Sequence, residues 1–145
     1  MYQFIGFFAR PGVQRPQTLP PRAIWRNVCT PFNGVGVYLP GLFVDEYGVP
    51  VGPLLAVEEI KTLATQFGFD STKTWVYLEY VCWGGPIDFV YGVSMCEGVR
   101  LGPLKMSVMD GSAEEAFTTL MAHFGITPED ALNFAPFVRG YWGVL

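Results

Sequence analysis

Residues 74–95, TWVYLEYVCWGGPIDFVYGVSM, leave this chain little choice of architecture. Two runs rich in β-branched and aromatic residues flank Gly84-Gly85, and a glycine pair accepts the positive φ angles that a two-residue hairpin turn demands. The stretch therefore reads as a long antiparallel hairpin. With the turn setting the register, Trp83 faces Pro86, and the cross-strand pairs are Cys82/Ile87, Val81/Asp88, Tyr80/Phe89, Glu79/Val90, Leu78/Tyr91 and Tyr77/Gly92. Alternation then sorts the side chains onto two faces. One face, Val76, Leu78, Tyr80, Cys82, Ile87, Phe89, Tyr91, Val93 and Met95, carries no charge and is expected to meet the core. The other, Trp75, Tyr77, Glu79, Val81, Trp83, Asp88 and Ser94, mixes indoles with carboxylates and is expected to be offered to another macromolecule. The plainer alternative is a second core layer, with the helix at 56–67 or the segment 10–31 lying over that face.

The rest of the chain supplies strands and helices around this hairpin. Residues 2–9 are rich in Phe and Ile and read as a strand buried on both faces, with Gly6 marking a bulge or a close backbone approach. Residues 10–31 hold five prolines and Arg10, Arg15, Arg22 and Arg26, without a clear period; they read as an extended wall or loop, with a short helical turn around 22–28. Further strands are expected near 35–39 and 103–109, the latter alternating Leu104, Met106 and Val108 with Lys105 and Ser107. Ala56, Ile60, Leu63, Ala64 and Phe67 share one helical face, with Glu58 and Glu59 in the first turns and Gly68 as the stop. Ser112-Ala113-Glu114-Glu115 has the form of a capping box opening a helix that buries Phe117, Leu120, Met121 and Phe124. Thr127-Pro128 starts another that ends near Ala135. The expected fold is α+β: one domain over residues 1–145, an antiparallel sheet with two or three helices packed on one face.

Composition narrows the function classes. A chain of 145 residues can bury about two thirds of its unfolded surface and needs no staples. Only 15% of residues are charged, against roughly 25% in an average soluble protein, and 16% are aromatic, so apolar surface is expected at an interface. The net charge of −4 and the absence of a Lys/Arg cluster argue against nucleic acid and favour a basic partner. Cys29, Cys82 and Cys96 are odd in number and lack metal-ligand spacing, which reads as reduced thiols. No run reaches the roughly 18 apolar residues of a membrane helix, and the first residues lack the form of a signal peptide, so a cytoplasmic protein without membrane contact is expected.

Sites of chemistry are sparse. Glu79 and Asp88 lie diagonally across the proposed hairpin, and two carboxylates at that spacing are the kit of a glycoside hydrolase. No histidine or polar cluster completes the constellation, and Lys105 is placed to neutralise one of the acids. His123, the single histidine, sits at a helix C-terminus without HxxxH or ExxH spacing, so no metal and no cofactor are expected. Cys82 points to the core and Cys96 to a turn. Gly34-x-Gly36 and Gly84-Gly85 lack the context of a phosphate loop. Partner binding is the expectation, through Trp75, Tyr77, Glu79, Trp83 and Asp88, joined by the loop residues Asp45, Glu46 and Tyr47.

A small acidic chain with WVYLEYVCWGG on a central strand, then IDFVYG, then a late helix opened by SAEEAF, resembles the immunity proteins of bacterial polymorphic and secreted toxin systems. Families of that kind share a strand of the form W-[VYA]-x-[LIA]-E, a Gly-Gly turn and a compact terminal helix, and the likeness covers Trp75 to Phe124. The resemblance implies a protein that binds one cognate toxin, blocks its active site and performs no chemistry itself; it carries over no individual contact residue. The segment 10–31 departs from that pattern. Two rivals from other classes are a homo-oligomeric subunit pairing through the same aromatic face, as in a homodimer, and a small-ligand-binding protein or hydrolase using Glu79 and Asp88.

Overall fold

β1 (Tyr2–Ala9) is apolar on both sides, and such a strand is satisfied only in the middle of a sheet. The structure, a computed structural model, describes residues 2–40, 46–47, 52–82, 86–138 and 140–143. In it β1 lies between β3 (Gly34–Tyr38) and β4 (Trp75–Cys82) in an entirely antiparallel six-stranded sheet ordered β2-β3-β1-β4-β5-β6. β2 (Ile24–Val28) and β6 (Val99–Ser107) form the two edges, and β5 (Ile87–Cys96) joins β4 to β6. The short helical turn expected around 22–28 is replaced by β2. Its backbone pairs with β3, and that ladder outweighs the weak local preference of the sequence IWRNV.

The protein is an α+β fold, with helices packed on an antiparallel sheet. Two helices, α2 (Ala113–Phe124) and α3 (Pro128–Leu132), lie on one face with the 3-10 turn Ala135–Phe137. The third, α1 (Val57–Gln66), covers the other through Ile60, Ala64 and the adjoining Phe67. Caps act where the sequence places them: Ser112 Oγ accepts from the Glu115 amide at 3.0 Å, and Thr127 Oγ1 accepts from the Asp130 amide at 3.3 Å. Gly125, in the left-handed region at φ 101°, ends α2.

Two cores result. Phe4, Phe8, Val76, Leu78, Tyr80 and Val90 point toward α2, α3 and the tail, where Trp142 packs on Phe4 and Phe8. Ile5, Phe7, Ala9, Trp75, Tyr77, Tyr91 and Val93 point toward α1. Arg10, at the end of β1, ties the first core together. Its guanidinium donates to Phe124 O at 2.9 and 3.2 Å and to Gly125 O at 2.9 Å, and it lies over the Phe32 and Phe124 rings. A cation on the last carbonyls of a helix satisfies groups that have no partner within the helix. Arg10→Ala is expected to lower stability by about 2 kcal/mol, because charge-assisted bonds and ring stacking are lost together. Urea unfolding checks this, and a loss below about 0.5 kcal/mol would show that the clamp is ornamental.

Candidate functional site

β4 and β5 pair as expected at Cys82↔Ile87, but from there the register departs from the sequence reading. Val81 lies opposite Phe89, Tyr80 opposite Val90, Glu79 opposite Tyr91 and Tyr77 opposite Val93, with a shift between Val81 and Cys82. Asp88 is thus the extra residue of a β-bulge. Because side chains alternate with period two, one inserted residue transfers the rest of a strand to the opposite face. Tyr91, Val93 and Met95 therefore join Trp75 and Tyr77 on the α1 side, while Val90 and the buried Ser94 face α2. There Ser94 Oγ lies 2.9 Å from His123 Nδ1.

This overturns the expectation that Trp75, Tyr77 and Glu79 are offered outward. All three are buried, Glu79 to 1% exposure. The Trp75 and Tyr77 rings lie 5.7 and 5.1 Å from that of Phe7, and Trp75 Nε1 donates to Asp70 O at 3.1 Å. The surface is a second core layer because α1 and its approach lie on it, and the shifted register supplies enough apolar neighbours to make burial favourable. The same filling removes the ligand-pocket reading of this face.

A buried carboxylate needs donors, and Glu79 has them. Oε1 accepts from the Leu54 amide at 3.0 Å; Oε2 accepts from the Leu55 amide at 3.4 Å and from the Tyr77 hydroxyl at 2.8 Å. Residues 52–56 form a strap leading into α1, and the Tyr91 hydroxyl, directly across the sheet from Glu79, donates to Leu55 O. Burial pushes the Glu79 carboxyl above its ordinary range, against the pull of the Leu54, Tyr77 and Leu55 donors. Burial, with the Glu79 charge adding to it, also lifts the Tyr77 hydroxyl. Asp88 belongs elsewhere: burial first, and then Cys82 and Asp88 nearby, raise the proton affinity of Tyr80, on the opposite face. The two-carboxylate pair of a glycosidase is not assembled. Lys105, exposed and across from Tyr91, does not neutralise Glu79.

Glu46 and Tyr47 are exposed in a turn, Tyr47 to 82%, and Asp88 is half-buried. Asp45 and Trp83 lie outside the described residues. Cys82 and Cys96 are half-buried and Cys29 is exposed. Among the described residues no group of three His, Cys, Asp or Glu side chains is placed to hold a metal ion. No helix among them is long and apolar enough to cross a membrane.

A surface feature that the sequence reading missed lies next to Asp88. β6 ends at Ser107, two residues earlier than expected, and the chain turns through 108–111. The Val108 amide donates to Asp88 O at 2.8 Å, the Asp110 amide to Ser107 O at 3.1 Å, and Ser107 Oγ to Asp110 Oδ2 at 2.9 Å. That turn holds Val108 at 51% and Met109 at 90% exposure, between the acids Asp88 and Asp110. Val108 is therefore not the buried member of an alternating strand. Two consecutive apolar residues before Asp110-Gly111, where alternation fails, were the available signal. Beside this corner, an open groove of about 350 Å³ runs between β6 and α2, lined by Leu104, Lys105, Met106, Ser112, Glu115, Ala116 and Thr119.

No family model, curated protein or solved structure matches the chain.

Proposed function

We propose that this is a binding protein of the immunity type, which holds one cognate toxin domain in the cytoplasm of a bacterium and blocks its active site. The observation that carries the proposal is the acid-flanked apolar corner Asp88, Val108, Met109 and Asp110. An exposed methionine and valine beside the Asp110 carboxylate, in a turn that Asp88 joins through its backbone carbonyl, suit a partner with a basic, partly apolar contact surface. Buried apolar contacts then supply affinity, while the acids steer encounter. The chain's net charge of −4 acts in the same direction, and Glu46 with Tyr47 adds a second acid-and-aromatic contact. The resemblance over Trp75 to Phe124 supplies the class of partner, and the buried Glu79 face no longer contributes to the contact.

The test uses the genomic neighbour. A gene immediately upstream for a large secreted protein with a variable C-terminal domain is expected, and co-production of this chain should relieve the growth arrest caused by that domain. Val108→Lys with Met109→Lys should weaken binding by about 2 kcal/mol, roughly thirtyfold in Kd, by adding positive charge where a basic partner docks. Stability should change by less than about 0.5 kcal/mol, because both positions are exposed. Absence of protection, or protection undiminished by the double variant, defeats the proposal. A concentration-independent dimer in light scattering, abolished by the same substitutions, would reassign the corner to self-association.

A further inference from the structure

The strap 52–56 meets the sheet through side chains rather than a backbone ladder. The Leu54 and Leu55 amides donate to Glu79, and the Leu55 carbonyl accepts from the Tyr91 hydroxyl, so two side chains directly opposite one another in β4 and β5 hold three backbone groups of two adjacent residues. The fit is close: a Cβ on Gly52 would stand 2.8 Å from Glu79 Oε1. It also involves strain, since Leu54 is held at φ 50°, a region that residues other than glycine seldom occupy. The carboxyl at the centre of this attachment is 1% exposed and, among the described residues, faces no cation. The titratable groups around it are the Tyr77 and Tyr91 hydroxyls, with Glu59 at the start of α1 acting on both tyrosines. Glu59 is committed locally, its Oε1 accepting the Ala56 amide at 3.3 Å.

We propose that Glu79 is a proton-operated latch that keeps the strap docked over Tyr77 and Tyr91 while it is neutral and loosens it on ionisation. A neutral carboxyl retains a carbonyl oxygen for the Leu54 amide and a hydroxyl that donates to the Tyr77 oxygen, so the attachment survives protonation. Ionisation places in the layer between sheet and helix a charge that is hydrogen-bonded but, among the described residues, has no cation beside it to offset its lost hydration. An undocked strap lets water reach that charge, whereas a docked strap does not. The direction follows from linkage. A carboxyl whose pKa is higher in the docked state contributes stability that is complete below its ordinary value and is lost as pH rises through the raised one.

Amide hydrogen exchange at Leu54 and Leu55, corrected for intrinsic rate at each pH, reads the latch directly. Between about pH 4 and pH 8, protection should fall tenfold for each unit by which docking raises the carboxyl's pKa. Amides of β1 should keep their protection, and Glu79→Gln should flatten the profile. Tyr77→Phe removes a donor that favours the ionised form, so the fall should move to higher pH, a readout that stands if the Gln variant does not fold. Flat wild-type protection, an identical slope in Glu79→Gln, an unmoved midpoint in Tyr77→Phe, or a parallel fall in β1 would each overturn the proposal. The last of these would make Glu79 a determinant of global stability rather than of strap docking.

Discussion

Gly6→Ala is expected to cost about 3 kcal/mol or more, a large fraction of the stability of an ordinary domain. An ideal Cβ at position 6 would lie 1.9 Å from the Val37 carbonyl oxygen and 2.9 Å from Phe4 Cζ. The first of these atoms is backbone, and it cannot swing away as a side chain can. Val37 is itself paired to Trp25 on its far side, so relief requires β1 to part from β3 or β3 to carry β2 with it. Gly36 makes a useful comparison: a Cβ there would meet Trp142, 2.8 Å away, and Phe8, 3.0 Å away, both side chains. Gly36→Ala should therefore cost less than Gly6→Ala. Urea midpoints of the two variants test the ordering. A Gly6→Ala protein within about 1 kcal/mol of the parent would mean that the central strands are less tightly joined than these distances imply.

What could be read from the sequence was whatever local chemistry determines. Ser112 and Thr127 cap their helices as their spacing to Glu115 and Asp130 implies, and Ile60, Ala64 and Phe67 form the buried face that their period predicts. β1 lies between other strands because its residues 4–9 are apolar on both faces and are buried on both. The sense of the Trp75–Tyr77–Glu79 face was not legible, for two physical reasons. Gly84-Gly85 does not disclose that Asp88 is inserted as a bulge residue, and one residue of shift moves Tyr91 and Val93 from one core to the other. Nor does alternation show that a strap whose amides lie 24 and 25 positions upstream will return to satisfy Glu79, because that satisfaction comes from backbone amides, which every sequence has. A glutamate among tryptophan and tyrosine therefore suits an interface or a plugged core equally well until the strap is seen. Met109 was hidden by the opposite difficulty, a strand pattern continued past the point where the chain already turns.

Phe8→Ala should be comparably damaging to Gly6→Ala, at about 3 to 5 kcal/mol, but through loss rather than crowding. Phe8 is fully buried, and its neighbours come from separate parts of the chain. Phe4 stacks on it at 5.0 Å, Phe134 meets it edge-on at 4.9 Å, Phe32 lies 6.1 Å away from the segment before β3, and Trp142 lies 6.3 Å away from the tail. Those neighbours are themselves held. Trp142 Nε1 donates to Pro136 O at 3.0 Å, and the Tyr2 hydroxyl donates to the same carbonyl at 3.2 Å. A site walled by anchored rings collapses poorly, so the cavity term should lie at the upper end of its range. Phe8→Leu retains most of the volume and should cost under about 1.5 kcal/mol. The damage should also be one-sided. Proteolysis after Phe134 should accelerate in Phe8→Ala, while amides under α1, on the Phe7 side, keep more of their protection. Equal loss on both faces would mean that the two cores unfold as one, and a cost near that of Phe8→Leu would show that the tail rings can close over the gap.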